Sequence, residues 1–241
     1  MLSGIFSTSS GKTAIENDLQ IISNNLANAL TAGFKAVAPV FSSMNVEEAT
    51  SPDQLPATYV AVPDCYIQFY DAPLTQTGNA FDLAIEGNGF FAISTPQGKM
   101  YTRNGRFAVN ADKKLVTQSG YPVISQGGGD ITIDGKDVTI TSDGSVYVDR
   151  LFVDRLTIVD FPNKQALTNT GGSLFANASR KDDEVPAEGF FVQQGAYEGS
   201  NVDIMKEMVQ MITVLRAYES YTRLDQSASD MLGKLIDLGK F

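Results

Sequence analysis

Phe81-Asp82-Leu83-Ala84-Ile85-Glu86-Gly87-Asn88-Gly89-Phe90-Phe91-Ala92-Ile93-Ser94 decides how this sequence folds. Two short runs of apolar residues flank Gly-Asn-Gly, the punctuation of a tight turn between antiparallel strands, so the stretch is expected to form a hairpin. Gly87 and Gly89 suit backbone that a side chain would crowd or that needs positive φ. Successive strand residues face opposite sides, so Phe90 and Phe91 are expected to point one inward and one outward. The same character runs from Thr77 to Gln194, with strand-like runs at Val138 to Thr141, Ser145 to Val148, Leu156 to Phe161 and Phe190 to Val192. Turn signals fall at Asn104-Gly105, Asp134-Gly135 and Asp143-Gly144. Residues 77–194 are therefore expected to be a central antiparallel β domain.

Upstream, residues 39–76 hold Pro39, Pro52, Pro56, Pro63 and Pro73, which exclude a long helix and predict an extended linker. Within 1–38, Ile15, Leu19, Ile22 and Leu26 recur at spacings of four, three and four, one stripe of an amphipathic helix that Gly33 is expected to end. Within 195–241, Met208, Ile212 and Leu215 continue the theme. Leu224, Met231, Leu235 and Leu238 then follow a coiled-coil rhythm. Ser200 or Asn201 is the expected cap of this helix, and Asp203 suits its first turn. These patterns predict an α+β chain whose N- and C-terminal helices pair in a coiled-coil-like module beside the β domain. Wet apolar stripes would make that module marginal alone and an assembly interface in company.

Composition narrows the function. The 241 residues suffice for one large or two modest domains. A net charge of −10 leaves no electrostatic footprint for nucleic acid. Met1-Leu2-Ser3-Gly4-Ile5-Phe6-Ser7 does not read as a secretory signal peptide, and no apolar run predicts a membrane-embedded segment. Cys65 stands alone, so no internal disulfide can form, and histidine is absent, which removes the commonest general base and metal ligand. Gly127-Gly128-Gly129-Asp130 lacks the Lys-Ser/Thr of a phosphate loop, and Asp182-Asp183-Glu184 lacks calcium-loop spacing. Asp82 and Glu86 could in principle act as a glycosidase pair, so a cell-wall carbohydrate-active protein is the alternative to a structural one. No catalytic residue, metal site or cofactor is assigned.

Four ordered stretches resemble the flagellar rod and hook protein family. The first is Asn24-Asn25-Leu26-Ala27-Asn28 with Gly33-Phe34-Lys35; Leu30 stands where the family usually has Asn. The second is Leu74 to Phe91, and the third runs through Tyr101-Thr102-Arg103-Asn104-Gly105 to Gly120-Tyr121-Pro122-Val123. The last joins Gly195-Ala196-Tyr197-Glu198-Gly199-Ser200-Asn201-Val202-Asp203 to Arg216-Ala217-Tyr218-Glu219. The resemblance implies a non-enzymatic subunit that self-assembles into the hollow, torque-transmitting rod of the flagellar basal body, in the periplasm. It further implies export through the flagellar type III apparatus and contacts with other rod subunits and the surrounding rings. Short length and the lack of large insertions point to the proximal-rod type before the distal-rod or hook type.

Overall fold

Most of the chain's regular backbone is β-sheet, with one α-helix toward each end among the described residues, α1 (Leu2–Ala27) and α2 (Ile204–Leu238). The computed structural model describes residues 2–40, 43–45, 58–60, 64–177 and 184–238. They divide into two units: 1–27, 37–67 and 203–241 in the first, 28–36 and 68–202 in the second.

The first unit holds both helices with β1 (Val37–Val40), β2 (Ser43–Asn45), β3 (Thr58–Val60) and β4 (Asp64–Ile67). β1 pairs antiparallel with β4, and β2 with β3, inside the segment whose prolines predict a linker. Pro52, Pro56 and Pro63 lie outside the described residues.

The expected coiled-coil-like pair of terminal helices is not formed, and the fold is mostly β rather than α+β. The reason lies in which faces are buried. α1 turns Gly11, Ala14, Asp18, Ile22 and Asn25 inward, while Ile15, Leu19 and Leu26 are only half-buried. α2 turns a half-buried face of Glu207, Met211, Val214, Tyr218 and Tyr221, whereas Met208, Ile212, Leu215, Leu224 and Met231 lie exposed. Among the described residues the contacts between the helices include polar and aromatic ones: Tyr218 donates to Glu16, Lys12 lies over the Tyr218 ring, and Asn25 donates to Glu207. No knobs-into-holes seam of a and d side chains results.

The second unit carries β5 (Leu74–Gln76), β6 (Leu83–Glu86), β7 (Phe90–Thr95), β8 (Gly98–Thr102), β9 (Phe107–Val109), β10 (Leu115–Thr117), β11 (Val138–Ile140), β12 (Ser145–Val148), β13 (Leu151–Arg155), β14 (Ile158–Asp160), β15 (Leu167–Gly171), β16 (Leu174–Asn177), β17 (Val185–Pro186), β18 (Phe191–Gln194) and β19 (Ala196–Glu198). Its largest sheet runs β15-β16-β8-β7-β14-β17. Every strand pair is antiparallel.

Here the opening motif departs from expectation. β6 pairs with β18, while β7 pairs with β8 and β14, so Gly87-Asn88-Gly89 passes the chain from one sheet to another and closes no hairpin. Both phenylalanines are buried, on opposite faces of β7. Phe91 packs edge-on to Phe107 in an aliphatic core with Leu83, Ile93, Leu115 and Val146. Phe90 joins Phe69, Phe161 and Phe175 in an aromatic cluster with ring centroids 5.5–5.9 Å apart. A strand covered on both faces contributes twice to burial, which suits a scaffold.

Candidate functional site: a buried charge hub and an exposed helical stripe

The loop after α1 is held in the second unit by buried charge. Lys35 and Glu198 are 0% and 1% exposed, with Nζ 2.6 Å from Oε1. Lys35 also donates to the Tyr70 carbonyl at 2.8 Å, and the Ala72 amide donates to Glu198 at 3.0 Å. Arg103, 3% exposed, reaches Glu198 Oε2 at 3.4 Å and donates to the carbonyls of Ile85 and Gly87 at 3.0 and 2.6 Å. Its guanidinium also lies over Phe90 at 5.4 Å. Burial pushes the Lys35 ammonium below its ordinary pKa, and Glu198 opposes that shift. Charges so deep are tolerable because each has partners; removing one would strand the others.

Asn201 adds a second clasp. Its side chain accepts from the Ala36 amide at 2.7 Å and donates to the carbonyls of Gln68 and Tyr70 at 2.7 and 3.2 Å. It therefore does not cap α2. That role falls to Asp203, whose carboxylate accepts from the amides of Met205 and Lys206 at 3.0 and 3.1 Å.

Gly33 lies beyond the end of α1 at Ala27 and is not its C-cap. It adopts φ +65, and a Cβ there would lie 2.2 Å from the Asn104 backbone nitrogen. Its amide instead donates to Glu198 O at 2.8 Å. Gly105 approaches β6 as closely: a Cβ would meet Leu83 O at 1.6 Å. Gly87 and Gly89 sit at the β6–β7 crossing with φ +89 and +138.

The remaining predicted residues fall as follows. Ile22 is buried, and Ile15, Leu19 and Leu26 are half-buried. Met208, Ile212 and Leu215 share an exposed stripe with Met205, at 72% for Met205 and 53% for Ile212, while Leu224 and Met231 are exposed farther along, on another side of the helix. Leu235 and Leu238 belong to α2, but their side chains lie outside the described residues. Asp82 is buried and accepts from the Thr77 hydroxyl at 2.6 Å, whereas Glu86 is exposed at the end of β6. Glu184 pairs with Lys99; Asp182 and Asp183 lie outside the described residues. Residues 125–130 make a turn, and Asp130 pairs with Lys114.

The sequence reading missed Lys35 and Arg103 as joint partners of Glu198. Each belongs to a quoted family stretch, but only the fold brings them together over separations of 95 and 163 residues.

A β scaffold clamped by buried charge, in a chain whose helix α2 bears an exposed apolar stripe, has the organisation of a structural building block. Residues 84–148 match the profile of the flagellar hook protein FlgE/F/G D1 domain, and residues 193–238 that of the flagellar basal body rod FlgEFG protein C-terminal region. The flagellar basal-body rod protein FlgF of Caulobacter vibrioides is 35% identical, over 94% of this chain and 96% of the relative. FlgF of Rhizobium meliloti is 30% identical over 98% of each, and FlgG of Agrobacterium fabrum 33% over 92% and 93%. The chain belongs to the flagellar rod and hook protein family, as a structural subunit of the basal-body rod.

Proposed function

We propose that this chain is a proximal-rod subunit of the FlgF type that assembles with copies of itself and other rod subunits into a hollow, torque-transmitting tube. The rod lies in the periplasm, inside the surrounding rings, and its subunits arrive through the flagellar type III export apparatus. The observation that carries this reading is the exposed stripe of α2, read beside the full-length similarity to rod proteins. Burying a Leu, Ile or Met side chain is worth about 1.5–3 kcal/mol, and a monomer leaves that gain unclaimed along the helix. Neighbouring subunits can claim it. The role is mechanical, and the hub around Glu198 supplies stiffness where load passes.

FlgG-type distal-rod identity is the second reading, favoured by 33% identity to the Agrobacterium fabrum relative. Epitope-tagged subunits located by immunogold labelling of isolated basal bodies separate the two. Label at the cell-proximal end of the rod is expected; label confined to the distal rod or the hook contradicts the proposal.

A further inference from the structure

Within the second unit, the hairpin of β12 and β13 is turned by Asp149 and Arg150, both exposed and both at positive φ, 49 and 68. Two-residue turns of this kind usually hold Asn-Gly, so this pair of charges is kept at a cost in strain. Leu151, Phe152 and Val153 follow on β13, the outer strand of the sheet β11-β12-β13, and are exposed at 72%, 60% and 38%. Successive large apolar residues on a sheet edge are a surface made to be covered by another molecule. The tip is already shaped for it. Tyr147 packs edge-on to Phe152 with ring centroids 5.7 Å apart, and the Asp149 carboxylate accepts from the amides of Lys136 and Asp137 at 3.3 and 3.1 Å.

The same strand leads from the tip to a cleft of about 250 Å³. Leu156, Ile158 and Phe190 give it an apolar lining, and beside them stand Asp143 and Arg155, paired at 2.5 Å and about half exposed. Four residues of strand separate Leu151 from Arg155, about 13 Å, so the tip cannot enter its own cleft.

We propose that the β12–β13 tip of one copy docks in this cleft on the next copy, Phe152 entering among Leu156, Ile158 and Phe190 while Arg150 reaches Asp143. Charge selects a second copy of this chain as the occupant: the tip offers a cation and an anion, Arg150 and Asp149, where the cleft offers Asp143 and Arg155. A patch and its complement at two places on one subunit join copies head to tail without closing, as an extended rod requires. The inference rests on the self-assembly proposed above and adds a contact in the β domain to that of the α2 stripe.

Disulfide trapping in assembled rods tests it. A strain whose sole copy carries Cys65→Ser, Leu151→Cys and Gln126→Cys, the last at the exposed edge of the cleft, is oxidised, and its basal bodies are run on a non-reducing gel. Each copy brings one cysteine to each side of the contact, so a ladder of bands beyond the dimer is expected, and either single-cysteine variant loses it. Immunogold label in the rod without a ladder overturns the contact and leaves the self-assembly reading standing; a rod without label sinks that reading and this one with it. Where the cysteines block assembly, Phe152→Asp decides. Phe152 is largely exposed, so the purified variant should keep the wild-type thermal midpoint while completed rods are lost. Complete rods in that strain, or a collapsed midpoint, overturn the proposal.

Discussion

Glu198 and Asp18 are both buried carboxylates, and the two units treat them oppositely. In the second unit Glu198 meets Lys35, Arg103 and the Ala72 amide, so the charge is fully answered inside one chain. In the first unit an oxygen of Asp18 is left without a partner, while the apolar side chains of α2 face outward. The second unit thus answers its buried carboxylate at Glu198 from within, although Arg103 Nε, Ser125 Oγ and Thr157 Oγ1 are without hydrogen-bond partners there. The first carries unmet polar and apolar demand, as suits a region completed by its neighbours.

The contrast is broken most forcefully at the hub. Glu198→Gln takes from Lys35 its paired anion and leaves Arg103 only the exposed Asp71 at 3.9 Å, and breaking buried pairs costs about 3–5 kcal/mol. Urea unfolding of the second unit should show that loss; under about 1 kcal/mol, the hub is not what holds the unit together. Next is Gly33→Ala. Positive φ alone costs a non-glycine residue about 1–3 kcal/mol, and the backbone at Asn104 leaves no room for Cβ. The thermal midpoint of the second unit should drop, whereas an unchanged midpoint would show that the loop can move away.

What the sequence disclosed follows from the range of each signal. Strand runs and turns are local, and the β character of the middle was legible from Phe81 to Ser94. Pairing is not local, so nothing at Gly87-Asn88-Gly89 could tell a hairpin from a crossing between sheets. Helical spacing located both terminal helices but misjudged their contact. The heptad pattern marks Met208, Ile212 and Leu215 as one face; whether that face meets α1 or solvent depends on competition from Tyr218, Tyr221 and Glu207 one residue out of phase. The hub was illegible because lysine, arginine and glutamate default to the surface, and only the fold reveals that these three do not.

A smaller effect sharpens the comparison from the other side. Asp143 is exposed, yet hydrogen bonds from Thr141 and Ser145, with Arg155 beside it, pull its pKa down to about 2. Its contribution is present above the ordinary 3.8 and lost as pH falls toward 2, opposite in sign to Asp18, whose pKa burial raises. Asp143→Asn should slightly lower the stability of the second unit at neutral pH and remove that acid limb. A carboxyl titration at 3.8 or above would show that these partners do not hold the anion.

The central claim is that the α2 stripe is silent in the free subunit and indispensable in the rod, and Ile212→Asp tests it directly. Ile212 is exposed, so unfolding of the purified variant should match wild type within about 0.5 kcal/mol. The same variant, as a cell's sole copy, should leave basal bodies without a completed rod by electron microscopy, because assembly would bury an unpaired carboxylate. Complete rods in that strain, or a purified subunit destabilised by several kcal/mol, would contradict the account.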